Sequence, residues 1–429
     1  MMRYAPLDSE IFINNRYRFT DRLKPKSIAV FHSSDVMPKS ADGIYPFVQQ
    51  SDLFYLCGID QEETILLLCP DAYEESDRVC LFIKETNKNI ARWEGPKYTT
   101  KEASQISGIK TVFWTSHFKQ RFRQLVVLCD YIYLNTNEHA RANLEVETRD
   151  SRFIQWCIKT YPLHTYERAA KIMNTIRMIK TDQEIDVILR ACDITHKIFS
   201  RLLKFIKPNV WEFEIEAEIV HECIRNRSKG PAFEPIVASG KNSCILHYVK
   251  NNKQCKSDEL VLLDFGAEYA GYAADITRTL PVNGVYSDRQ KAVYNAVLNV
   301  QRAAINLLTP SNSFKDYKKA VGKIMENELI RLGLLDEKKV QNQDPEKPLY
   351  QKYFMHGASH FIGLDVHDSG YYETFFLPGM LLSCEPGIYI EEEEFGIRLE
   401  DDILITPKGP VNLTSHIPIQ AHEIEMLMK

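Results

Sequence analysis

Apolar, strand-like segments in the second half of this chain carry carboxylates in mid-run, and no other feature constrains the fold as strongly. Asp264 ends the run LVLLD, and Asp275 lies eleven residues later inside YAADITRT. Glu385 follows LLSC, and Glu400 lies inside GIRLEDDILI. An acid in such a run must find a partner, because burying an unpaired charge is heavily penalised. A short turn containing Ala270 and Gly271 joins ELVLLDFG (259–266) to YAADITRTLPV (272–282). That hairpin would bring Asp264 and Asp275 close across one ladder. Strand alternation places Arg398, Glu400 and Asp402 on one face, with Ile397, Leu399 and Asp401 on the other. A solvated face, or pairing with Arg278 or Arg398, would account for any single acid. Four of them on strand cores repel one another unless cations intervene. Two divalent ions balance four carboxylates, and oxygen-rich ligation with one imidazole suits Mn²⁺, Fe²⁺ or Co²⁺ better than a structural zinc.

The imidazole has an evident source. Three of the 12 histidines, His356, His360 and His367, fall in YFMHGASHFIGLDVHDSG (353–370). The first two have the spacing that would share one face of a helix. They do not make a zinc-protease helix, which needs Glu directly after the first histidine, where Gly357 stands. The segment HECIR (221–225) fails too, with Arg225 in place of the second histidine.

A chain of 429 residues is long for one core, so two domains are expected. Residues 1–165 alternate short apolar segments (27–33, 64–70, 78–84, 110–116, 131–137) with polar stretches and a helical HFKQRFRQLVVL (117–128). This is the pattern of a small α/β domain, and it contains no phosphate-cradling glycine loop. Residues 166–429 carry longer helices opened by capping-box pairs, Thr181 with Glu184 and Ser287 with Gln290. His196 falls on the apolar stripe of the first and reads as a core-edge residue. Helices with strand pairs MLLSCEPGIYI (380–390) and FGIRLEDDILIT (395–406) make the second domain α+β.

The net charge of −5 and pI near 6.2 argue against nucleic acid or an anionic membrane as partner. Apolar runs such as ILLLC (65–69) are too short to span a bilayer, and the N-terminus lacks a signal-peptide pattern. Ten cysteines without a CxxC pair read as reduced, mostly buried thiols. A cytoplasmic location is expected.

The segments DFGAEYAGYAADITRT, MHGASHFIGLDVHD, SCEPGIYI and GIRLEDD, in this order, resemble the metallopeptidases with the pita-bread (creatinase/aminopeptidase) fold, family M24B. Within them the chain is similar to aminopeptidase P, the Xaa-Pro aminopeptidases. YPFVQQSDLFYLCGIDQEE (45–63) resembles that family's N-terminal domain, so the similarity runs from about residue 40 to 425. The resemblance implies five metal ligands, Asp264, Asp275, His360, Glu385 and Glu400, with Asp275 and Glu400 bridging two ions. Mn²⁺ is the expected metal, with Co²⁺, Fe²⁺ or Zn²⁺ as the other candidates. It implies that His247, His356 and His367 line the substrate site, with Tyr389 and Arg398 beside them or behind the ligands. Ions about 3.5–4 Å apart can share and acidify one water, giving a bridging hydroxide that attacks the peptide carbonyl. Glu385 is then the expected proton shuttle, with His356 and His367 stabilising the developing oxyanion.

The implied activity is removal of an N-terminal residue that precedes proline in a peptide, by a homodimer or homotetramer. The nearest alternative is a prolidase acting on Xaa-Pro dipeptides. A partner-binding pita-bread protein without metals would lack ligands that are all present here. The chain departs from the family pattern at Phe265, at Ser369, and in a short acidic connector, EEEEFG (391–396), which reads as a solvated hairpin tip.

Overall fold

Six short strands build the first of two compact units, residues 1–176: β1 (Ser27–His32), β2 (Ile65–Leu68), β3 (Val79–Ile83), β4 (Thr111–Trp114), β5 (Tyr131–Leu134) and β6 (Thr165–Arg168). The computed structural model describes residues 3–142 and 145–429. The strands form one sheet in the order β4-β3-β2-β1-β5-β6. β1 runs antiparallel to β2, and β2 to β3, whereas β3/β4, β1/β5 and β5/β6 are parallel. β1 and β2 are buried throughout because helices cover both faces. On one face, Phe19 of α1 (Ser9–Thr20) meets Phe31 edge to face. On the other, Phe118 and Phe122 of α2 (Phe118–Val126) and Phe153 of α3 (Arg149–Thr160) pack over Ile28 and Val30. β6 is the strand that periodicity misses, since TYER is a half-exposed polar edge with no apolar run to mark it.

The second unit, residues 177–429, is α+β. Its main helices are α4 (Asp182–Phe205), α5 (Glu212–Arg225), α6 (Asp288–Leu307) and α7 (Phe314–Arg331). Its strands longer than two residues are β7 (Ile236–Ser239), β8 (Leu260–Phe265), β9 (Ile276–Pro281), β10 (Leu381–Cys384), β11 (Gly387–Ile390), β12 (Phe395–Arg398), β13 (Asp401–Thr406) and β14 (Gly409–Asn412). They pair antiparallel as β9-β8-β7, β10-β13-β14 and β11-β12. Both capping boxes form, at Thr181/Glu184 and Ser287/Gln290, and satisfy amides that helix starts leave open. Ile188, Cys192, Phe199 and Leu203 of α4 are buried, while His196 lies at the core edge with its ring against His416. All ten cysteines are free thiols, and all but Cys244 are buried. Among the described residues no helix is long and apolar enough to cross a membrane.

Two local features set up the acidic residues. Ala270 and Gly271 both have positive φ (52° and 86°), the backbone of a tight hairpin turn. The resulting register pairs Asp264 with Thr277 rather than with Asp275. Asp275 therefore lies diagonally from Asp264 on the same face, one step past the ladder. Here the two chains come so close that a Cβ on Gly266 would stand 1.6 Å from the Ala274 carbonyl oxygen. The second feature corrects the expectation of two long strands at 380–390 and 395–406. Each is broken, one at Glu385 and Pro386, the other at Leu399 and Glu400, and the halves join different sheets. Pro386 has no N–H for a ladder, but its carbonyl accepts from Leu399 N at 3.2 Å. Glu385 and Glu400 thus stand where the hairpin crosses from β10/β13 to β11/β12.

Gly266→Ala is expected to force the β8–β9 hairpin apart and to destabilise the unit by about 1–3 kcal/mol. Thermal denaturation reads this directly, and a variant melting with the wild type would contradict the close approach.

Candidate functional site

The β8–β9 hairpin and the sheet crossing aim their acids at one place, and a loop delivers the imidazole. Residues 353–363 are not helical, so the spacing of His356 and His360 does not reflect a helix face. The chain instead runs beside β10: Ser383 N donates to His360 O at 2.9 Å, Glu385 N to Ala358 O at 3.0 Å and Ile362 N to Leu381 O at 3.1 Å. His360 Nε2 lies 3.5 Å from Asp275 Oδ2, 3.7 Å from Glu385 Oε1 and 3.8 Å from Glu400 Oε1. Its Nδ1 faces the Phe361 carbonyl at 3.0 Å. That bond places the ring proton on Nδ1 and leaves the Nε2 lone pair toward the acids. Asp275, His360 and Glu400, all buried, each bring a ligand atom within 4.8 Å of the others.

Burial, reinforced by neighbouring carboxylates, holds the Asp275 and Glu400 carboxyls well above their ordinary range. Glu385 is raised for the same first reason. Asp264 Oδ1 and Asp275 Oδ1 are buried without a hydrogen-bond donor among the described residues. Such oxygens, converging with one free imidazole nitrogen, fit a divalent cation better than a protein donor. Behind the acids, Arg398 Nη2 donates to Asp264 Oδ2 at 2.5 Å, Nη1 to Tyr389 OH at 2.9 Å and Nε to Thr277 Oγ1 at 3.1 Å. Thr277 Oγ1 in turn donates to Glu400 Oε2 at 2.7 Å. Burial works to lower the Arg398 pKa, but Tyr389, Asp264 and Glu400 outweigh it and hold the guanidinium charged.

Arg398 and Tyr389 also organise His356. Its Nδ1 must donate to the Gly357 carbonyl at 2.7 Å, so Nε2 accepts from Tyr389 OH at 2.8 Å. Burial, with Arg398 next in weight, lowers His356 to about 3, and the ring is neutral. The His367 ring meets the His360 ring edge to face at 4.4 Å. His247 is exposed, on the segment leading to Tyr248. Asp264, Asp275, His360, Glu385 and Glu400 therefore come together with Arg398, Tyr389, His356 and His367 around them, and His247 stands at the rim. Phe265 is a core residue. In the acidic connector, Glu392 pairs with Lys352 and Glu393 with Arg289, each at 2.6 Å, at an exposed tip.

Sequence reasoning gave no role to Asp368. It is 1% exposed and accepts from Lys180 Nζ at 2.9 Å and from Arg177 Nη2. Arg177 also reaches Asp365 at 2.8 Å. These cations pin the turn that carries His367, and the available signal was an acid directly after a site histidine in an apolar loop. Asp402 was likewise left unassigned. It accepts from the backbone N of Asp275 at 3.2 Å, and burial pushes its carboxyl up to about 7.

Metallopeptidase family M24 matches residues 186–407, and the aminopeptidase P N-terminal domain matches residues 12–134. Xaa-Pro aminopeptidase of Escherichia coli (strain K12) is 34% identical over 440 residues, covering 99% of this chain and 98% of that one. Among solved structures, aminopeptidase PepP of Pseudomonas aeruginosa has a TM-score of 0.90 at 28% identity, over 100% of this chain and 99% of its own. Zn-substituted E. coli aminopeptidase P in complex with product has a TM-score of 0.87 at 32% identity, covering 99% of both chains.

Replacing Asp368 by Asn leaves Arg177 and Lys180 without their buried counter-charge. The expected loss is about 3–5 kcal/mol of stability in chemical denaturation. An unchanged midpoint would show that the two cations do not depend on this acid.

Proposed function

Because the chain belongs to metallopeptidase family M24 and carries the aminopeptidase P N-terminal domain, we propose that it is a metal-dependent Xaa-Pro aminopeptidase, releasing the N-terminal residue of peptides with proline in second position. Its fold is that of aminopeptidase P, an N-terminal α/β domain followed by a pita-bread domain. The observation that carries the reading is the buried convergence of carboxylates on one free imidazole nitrogen, in a chain similar to an Xaa-Pro aminopeptidase along nearly its whole length.

Asp264, Asp275, His360, Glu385 and Glu400 would hold two divalent ions, with Asp275 and Glu400 shared between them and Mn²⁺ the expected metal. The unpartnered oxygens of Asp264 and Asp275 and the free Nε2 of His360 support this set. When bound, such ions acidify a water and polarise the scissile carbonyl. The chain's own groups do the rest. Glu385, raised by burial, is suited to take the proton released on attack and pass it to the proline nitrogen. His356 and His367 face the reacting carbonyl, and the chain Arg398–Tyr389–His356 keeps His356 neutral and fixed in orientation. The substrate's free amine is cationic and sits against the acidic cluster, which confines cleavage to the first bond. The bond to proline is a tertiary amide, so the site needs room for a ring rather than an acceptor for an amide proton. His247 at the rim and Arg398 complete the proposed substrate contacts. A homodimer or homotetramer acting in the cytoplasm completes the proposal.

A peptide-length series tests the activity. Xaa-Pro peptides of three residues and more are expected to be cut after the first residue. Cleavage confined to Xaa-Pro dipeptides would make the protein a prolidase, and no cleavage at all would sink the reading.

Two variants test the residue roles, with metal content and turnover measured on the same preparations. Asp275→Asn is expected to lose bound metal and turnover together. His367→Ala should keep its metal and lose about 10²-fold or more in kcat. Metal loss in the second variant would move His367 into the ligand set.

A further inference from the structure

A cavity of about 540 Å³ opens beside His247, lined by Asn242, Tyr248, Lys250, Asn252 and Lys253 among others. It is a built feature. Glu212 is fully buried and accepts from Ser239 N and Oγ (2.7 Å each), Asn242 Nδ2 (3.3 Å), Tyr248 OH (2.8 Å) and Lys253 N (2.9 Å). One carboxylate thus ties down both ends of the segment that forms the wall. Tyr248 belongs to the same apolar cluster as Tyr389, whose hydroxyl meets His356. The wall of the cavity is therefore continuous with the back of the reaction site.

The lining is rich in donors and poor in acids. Lys253 Nζ is spent on Glu259 Oε1 at 2.8 Å and Ser239 O at 3.0 Å. Lys250 is exposed and makes no hydrogen bond or ion pair among the described residues. Tyr248 spends its one hydroxyl proton on Glu212, and the Asn252 side-chain amide lies against the same hydroxyl at 3.2 Å. Lys250 is therefore a cation of the lining without a counter-ion, whereas the acidic cluster would be balanced by its two divalent ions. The N-terminal residue of a peptide is held at the acidic centre, so a group that reaches a neighbouring wall belongs to the residues after the scissile bond.

We propose that this cavity, with Lys250 as its uncompensated cation, is a subsite for a carboxylate beyond the proline of the peptide substrate. The carboxylate is either the C-terminus of a short peptide or an acidic side chain. The inference rests on the aminopeptidase reading and adds to it a preference among substrates.

The test compares kcat/KM at low salt for three peptides: Ala-Pro-Ala-Ala as free acid, the same peptide as C-terminal amide, and Ala-Pro-Glu-Ala amide. Wild type is expected to favour one or both carboxylate peptides over the neutral amide by about two- to fivefold, the range for an exposed ion pair. That preference should shrink as salt is raised. Lys250→Ala should bring the ratio to about one, and Lys250→Glu should invert it. Preference for the free acid assigns the subsite to the C-terminus, and preference for the Glu peptide assigns it to a side chain. Equal rates for all three peptides in wild type, or a preference that survives in Lys250→Ala, would overturn the subsite while leaving the aminopeptidase reading intact. Failure to cut any of the three would overturn both.

Discussion

Carboxylates packed together beneath the surface repel one another, and much of the second unit answers to that repulsion. Asp264, Asp275, Glu385 and Glu400 come from two hairpins far apart in sequence, and each sits where strand geometry is turned to expose its oxygens to the others. Arg398 neutralises Asp264 from behind, and Thr277 donates to Glu400. Among the described residues no donor reaches Oδ1 of Asp264 or Oδ1 of Asp275. Cations between the acids would resolve the repulsion, and Nε2 of His360 faces the same place.

Around this acidic centre the protein keeps its imidazoles in defined states by spending other polar groups. His356 is neutral because its two nitrogens are committed, one donating to a backbone carbonyl and one accepting from Tyr389. His367 has its turn pinned by Asp368 between Arg177 and Lys180. Glu212 performs the same service for the segment carrying His247, gathering donors from along residues 239–253. Three buried or half-buried networks thus bear on the three histidines around the centre, and all are charge-assisted.

The four acids of the centre stood out in the sequence because a carboxylate inside an apolar run is rare and its position can be read directly, whereas the choice of His360 among three clustered histidines came from the family resemblance. The five apolar strands of the first sheet and the capping boxes of α4 and α6 were legible from pattern for similar reasons. What pattern could not reach was set by tertiary contacts. The breaks at Glu385 and Glu400 obey the demands of two sheets at once, which alternation within one strand does not encode. The register that offsets Asp275 from Asp264 follows from the positive φ of Ala270 and Gly271 and the close approach at Gly266. β6 is polar and has only its pairing to reveal it. Asp368 and Glu212 look like ordinary surface acids until their burial is known, and the bond from the Asp275 amide to Asp402 has no mark in the sequence.

The central claim is that the carboxylate cluster exists to hold a pair of divalent ions. Calorimetric titration of the metal-stripped protein with Mn²⁺ addresses it without reference to any substrate. Saturation at two ions per chain is the predicted result. Saturation at one ion, or no binding, would contradict the account.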